Sequence, residues 1–130
     1  MRFNHVANRV ADAHFDTIVD LFRDRLGFVQ LNRNDRAIWM RQPGANIDLQ
    51  FSRVATSRDD AERNRSQVSF LSDTPRSDLE ELAIILRSQG LKAEVGAYSE
   101  REFYLDVPEA LVDFVIEAML PELAVYAVDV

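Results

Sequence analysis

Apolar and polar positions along this chain change period several times, and the changes mark out elements in a repeating order. Residues 3–10 alternate, with Val6 and Val10 on one side and His5, Ala7 and Arg9 on the other, which predicts a first strand. Phe15, Ile18, Val19, Phe22 and Leu26 then recur at steps of three and four, the spacing of an amphipathic helix. Asp12 or Asp16 is placed to cap that helix, and Gly27 to end it. Short strands are expected over 28–31 and 37–41, around the polar turn of residues 32–35. After the Pro43-Gly44 turn, residues 46–53 alternate cleanly, with Ile47, Leu49 and Phe51 opposite Asp48 and Gln50.

Residues 54–65 are polar and without apolar period, and read as a linker. Beyond them the same order returns. A strand is expected over 67–71, and Asp73-Thr74-Pro75 suits a helix entry. Leu79, Leu82, Ala83 and Leu86 form one stripe of that helix, and Gly90 ends it. Strands follow over 92–96, 101–106 and 111–117, the last with Val112, Phe114 and Ile116 opposite Asp113, Val115 and Glu117. Residues 118–130 are apolar and contain Pro121, in keeping with an edge or a subunit contact. Gly27 and Gly90, Pro43 and Pro108, and Asp48 and Asp113 stand 63 to 65 residues apart, while His5 and Gln67 stand 62 apart. Such near-constant spacing points to an internal duplication. The expected organisation is one α+β domain: a βαβββ module over about 1–53, the linker, a second module over about 66–119, and a tail over 120–130.

Composition narrows the function classes. At 130 residues, 47% apolar and 28% charged, the chain is long enough and apolar enough for one folded core. A net charge of −7 argues against nucleic acid or an anionic membrane as partner. Lys92 is the single lysine among 15 basic residues, so any carboxylate or phosphate recognition would use the guanidinium fork. Without cysteine there are no disulfides, thiolate metal sites or thiol nucleophiles. No apolar run approaches membrane-spanning length and no leader is evident, so a cytoplasmic location is expected.

The order of these elements resembles the vicinal oxygen chelate superfamily, which includes glyoxalase I, the bleomycin-resistance proteins and the extradiol dioxygenases. The residues that carry the resemblance are His5-Val6-Ala7, Leu21-Phe22 through Leu26-Gly27-Phe28, and Ile47-Asp48-Leu49-Gln50-Phe51. In the second half they are Arg101-Glu102-Phe103 and Asp106-Val107-Pro108, which resemble the last hairpin of the bleomycin-resistance branch. The resemblance implies two curved sheets that form an open cup, helices outside, a ligand on the concave face, and a homodimer. The strand alternation agrees with it. Ile47/Leu49/Phe51, Val68/Phe70 and Val112/Phe114/Ile116 would face the helices. His5/Arg9, Asp48/Gln50, Gln67/Ser69 and Asp113/Glu117 would face the cup. Trp39, Tyr98 and Tyr104 are the aromatics placed to stack on a flat ligand.

Metal-binding members of the superfamily take one ligand from each first strand and one glutamate near the end of each module. Position by position, the resemblance assigns these roles to His5, Gln67, Asp48 and Asp113, a set suited to Zn, Ni, Mn or Fe. Both expected glutamates are aspartates. The lost methylene withdraws a carboxylate by roughly 1.5 Å, whereas metal–oxygen distances tolerate about ±0.2 Å. An extradiol site needs two histidines, and Gln67 stands where the second would be. Two function classes follow. One is a metal-free binder of a small molecule of aromatic or cationic chemistry, with Arg9, Trp39, Gln50, Ser69, Tyr98, Tyr104 and Glu117 as ligand contacts. The other is a divalent-metal lyase or isomerase using His5, Asp48, Gln67 and Asp113, with Asp113 as catalytic base. A module that docks protein partners through the apolar tail from Ala118 is a third.

Overall fold

In the computed structural model, which describes residues 1–55 and 66–124, the two halves build two four-stranded mixed sheets of the same topology. The linker expected over 54–65 and the tail over 120–130 fall mostly outside those residues. Strands β1 (His5–Ala11), β2 (Val29–Arg33), β3 (Ala37–Arg41) and β4 (Asp48–Val54) lie in the order β1-β4-β3-β2. Strands β5 (Gln67–Leu71), β6 (Glu94–Ala97), β7 (Glu102–Asp106) and β8 (Val115–Met119) lie in the order β5-β8-β7-β6. In each sheet the first strand is parallel to the last and the remaining pairs are antiparallel. A parallel pair needs a long crossover, which the helix supplies in each module.

The first helical segment is not one regular helix. A 3-10 turn, Asp12–His14, leads into α1 (Phe15–Asp20), and a π-helical turn, Leu21–Arg25, follows. Helix α2 (Pro75–Ser88) is regular. Their ends show the difference. At α2 the Leu91 amide donates to the Leu86 carbonyl and that of Gly90 to Arg87, a Schellman closure with Gly90 at φ +85°. After α1 the equivalent bond runs from Phe28 to Phe22, one residue further back, and Leu26 donates to Leu21. The extra residue is the π-turn, and it keeps both Leu21 and Phe22 buried. Neither Asp12 nor Asp16 caps the helix. They take Arg53 and Arg33 instead, at 2.8 and 2.6 Å.

The core runs through both modules. Phe51 packs edge-on against Phe22, with centroids 4.7 Å apart, and stacks on Phe114 at 5.6 Å. The modules are also joined along the backbone. The end of β1 bridges to Leu111, where Ala11 donates to Ala110 and Val112 to Arg9. Leu49, Phe51, Phe114 and Ile116 are buried in this core as their alternation predicts, Val112 is buried outside it, and Ile47, Val68 and Phe70 are half-buried.

One register departs from the duplicated landmarks. His5 lies opposite Asp48, but its counterpart Gln67 lies opposite Val115. The counterpart of Asp48 is therefore Val115, and Asp113 stands ahead of β8 rather than within a strand over 111–117. The cause is the last connection. Arg41 to Asp48 spans seven positions and Asp106 to Val115 nine, a difference of one full strand period.

Candidate functional site

The first sheet brings His5, Asp48 and Arg41 into one cross-strand row and Ala7, Gln50 and Trp39 into the next. Residues in one row share a sheet face, so these side chains line the face away from the helices. Asp48 is only 7% exposed, and its two oxygens take the Arg41 Nε at 2.5 Å and a terminal nitrogen at 3.2 Å. This is a bidentate fork, the geometry that arginine offers a carboxylate. The hydrogen bond first and the charge second hold the Arg41 guanidinium protonated above its ordinary value. His5 is exposed, and its Nδ1 lies 2.8 Å from the Asn4 side-chain oxygen. Gln50 donates to the Ser52 hydroxyl at 3.0 Å, and Trp39 is half-buried.

Asp113 is engaged as fully as Asp48. One oxygen accepts the backbone N–H of Arg9 at 2.9 Å and the other its Nε at 3.1 Å. Arg9 belongs to the first module and Asp113 to the second, so the pair is a clasp between them. A carboxylate with both oxygens so occupied is poorly placed to act as a general base.

The second sheet has the same rows with different chemistry. Gln67 and Val115 form one, and Asp106 with Glu94 continues it on β7 and β6. Ser69, Glu117, Tyr104 and Gly96 form the next. The Ser69 hydroxyl donates to Glu117 Oε1 at 2.7 Å. Tyr104 lies directly over Gly96, where an added Cβ would meet its ring at 2.3 Å, and Tyr98 packs on Tyr104 with centroids 5.0 Å apart. A glycine in the middle of a strand has no packing partner of its own, and the ring laid across it supplies one. The alternation signal alone placed Trp39 and Tyr104 only as separate aromatics. The register makes them counterparts, each beside a polar residue of the last strand, Gln50 or Glu117.

Burial raises the Tyr98 hydroxyl above the ordinary tyrosine value. The Gln67 side chain opposes the shift, while the charges of Glu117, Tyr104 and Asp106 add to it. A folded value above the unfolded one stabilises the fold below the ordinary tyrosine range, and that contribution is lost as pH rises through the folded value. Ultraviolet titration of Tyr98→Phe against the parent is expected to remove one phenol that ionises later than a free tyrosine. An unchanged late component in the variant would contradict this.

Between the open edges of β1 and β5 runs a cleft of about 770 Å³, with Val6, Asn8, Leu49, Phe28, Val68 and Phe70 among its walls. Gln67 and Ser69 line it as well, so it adjoins the Tyr98–Tyr104 face. Among the described residues, no three His, Asp or Glu side chains are grouped so as to hold a metal ion. The donor set itself does not fit one. Asp48 and Asp113 are held by Arg41 and Arg9, and the position across from Gln67 is Val115.

No protein-family model matches the chain, and no curated protein is similar to it in sequence. Its fold is nevertheless found in solved structures. A possible glyoxalase from Bacillus cereus superposes with a TM-score of 0.61 at 18% identity, covering 92% of this chain and 98% of that one. The lactoylglutathione lyase of Agrobacterium tumefaciens does so at 0.57 and 14% identity, covering 96% and 97%. The bleomycin-binding protein of Streptomyces verticillus, solved with copper(II)-bleomycin, gives 0.52 at 17% identity, covering 92% and 98%. The fold is thus the cupped α+β fold of the glyoxalase and bleomycin-resistance proteins. Among the described residues, no helix is long and apolar enough to cross a membrane.

Proposed function

We propose that this protein binds a small molecule on the concave face of its sheets without a metal ion. The observation that carries the reading is the fate of the two aspartates. Where a metalloenzyme of this fold needs free carboxylates, Asp48 faces Arg41 and Asp113 faces Arg9. To ligate a metal, either aspartate would have to give up a charge-assisted pair that already satisfies both its oxygens. A pocket wall of half-buried aromatic and polar side chains fits ligand capture. The bleomycin-binding neighbour, solved with a drug complex, supports the same reading. A homodimer belongs to it too. His5 and Ala7 on β1, and Gln67, Ser69 and Leu71 on β5, turn their backbone groups away from the paired strand, and among the described residues no further strand covers these two edges, which a second copy could. Light scattering checks the mass.

The deciding measurement is metal content after purification without a tag or chelator, followed by calorimetric titration with Ni, Zn, Mn and Fe salts. No stoichiometric uptake is expected. One metal per chain, lost in both His5→Ala and Asp48→Ala, would overturn the reading in favour of the lyase or isomerase.

A further inference from the structure

We propose that the cleft between β1 and β5 holds the ligand of this protein, and that the ligand is an uncharged, largely apolar molecule. The inference rests on the ligand-binding reading above and names both the seat and the class of ligand. It comes from comparing the two junctions between the modules. His5 corresponds to Gln67 and Asp48 to Val115, so Leu71 is the counterpart of Arg9 and Asn46 that of Asp113. One junction is made: β1 bridges to Leu111, Val112 donates to Arg9, and Asp113 holds the Arg9 guanidinium. Its twin is not. Leu71 and Asn46 offer no ion pair, and the Ala45 amide, counterpart of that of Val112, donates to Gln42 within its own turn. Among the described residues no backbone hydrogen bond crosses there. The cleft of about 770 Å³ lies in its place, with Ala45 and Ile47 on one side and Phe70 and Leu71 on the other.

The walls decide the class. Val6, Leu49, Phe28, Val68 and Phe70 give apolar surface from both modules. Val6 and Leu71 remain 42% and 54% exposed, so this surface is open to an incoming molecule. Asp48 is the one charged side chain among the described walls, and Arg41 takes both its oxygens. The other polar walls are neutral, and three are engaged: Gln42 with the Leu26 carbonyl, Ser69 with Glu117, and Gln67 with Tyr98. The Asn8 amide stands ready for one hydroxyl or carbonyl. A charged ligand would give up its hydration here for no counter-charge, whereas an apolar one gains by covering exposed side chains. The volume is that of a small-molecule site.

The test titrates the full chain, in EDTA, with 1-naphthalenemethanol, 1-naphthylmethylammonium and 1-naphthoate, which share one frame and differ in charge. It follows the methyl resonances of Val6, Val68 and Leu71 in the cleft and the ring resonances of Tyr98 and Tyr104 outside it. The alcohol is expected to shift the cleft methyls and to bind about tenfold more tightly than either ion. Val68→Thr, which puts a hydroxyl into the wall at the same shape, is expected to weaken the alcohol about fivefold. Ile84→Thr, on the exposed side of α2, leaves it unchanged. Equal or tighter binding of either ion in the cleft would overturn the uncharged class and leave a ligand site standing. Shifts confined to Tyr98 and Tyr104 would overturn the cleft and leave the concave face as the site. No saturable binding of the alcohol, or an affinity that falls at higher protein concentration because a second copy fills the cleft, would also overturn the proposal.

Discussion

Phe51→Ala is expected to destabilise the protein by about 3–5 kcal/mol, the range for removing a fully buried phenylalanine. Phe51 lies at the middle of β4 with none of its surface exposed. Its ring is in contact with Phe22 beneath the first sheet and with Phe114 ahead of β8, so one side chain joins the first helical segment to the second module. The cavity left behind would open at the junction of two sheets, where neither backbone can collapse without moving its register. Phe70→Ala provides the comparison. Phe70 touches Phe22 and Phe28 at about 6 Å and is half-buried on the cleft, so its loss should be clearly smaller. Urea denaturation with a shared m-value measures both. A Phe51→Ala loss below about 1.5 kcal/mol, or one equal to that of Phe70→Ala, would show that the modules do not share a core.

The second large effect is expected at the inter-module clasp. Asp113→Ala removes the acceptor of the Arg9 backbone N–H and the partner of its guanidinium together, and should cost about 1–3 kcal/mol. The pair is partly solvated, with the arginine side chain 43% exposed and the aspartate 21%, so the ionic share is small. The backbone acceptor is the larger share. Asp113→Asn keeps a side-chain oxygen for that N–H and is therefore expected to recover more than half of the loss. If Asn and Ala variants unfold at the same urea concentration, the clasp acts through charge alone and this division is wrong.

The two effects illustrate what a strand pattern conveys and what it leaves open. Alternation in Ile47-Asp48-Leu49-Gln50-Phe51 names the buried face correctly because the period of a strand is two. The same property makes the pattern blind to a slip of two residues. Val112, Phe114 and Ile116 keep the same face under either register, and only the length of the preceding connection decides whether Asp113 or Val115 stands across from Gln67. Asp113 was therefore legible as a polar residue at the end of the second module. That it stands ahead of β8, outside the sheet, was not. The proline landmarks Pro43 and Pro108 matched in spacing because they precede the point where the extra residues enter.

The candidate site divides in the same way. Ser69 and Glu117 were readable as groups on a polar face and Tyr98 and Tyr104 as aromatics placed to stack, but their grouping needed three strand registers at once. Gly96 carried no signal of its own. Its role as the seat of Tyr104 depends on a neighbouring strand, and a missing side chain leaves no mark in a hydropathy pattern.

By itself, then, the sequence determined the order of elements, the duplication, the buried face of each strand and the glycine at the end of each helix. Those are local properties, set by side-chain period and by the conformational freedom of single residues. Only the tertiary structure decided which carboxylates meet which arginines, since ion pairing depends on register between strands far apart in the chain. Asp48 and Asp113 are occupied by Arg41 and Arg9, while Glu117 accepts from the Ser69 hydroxyl beside two tyrosines.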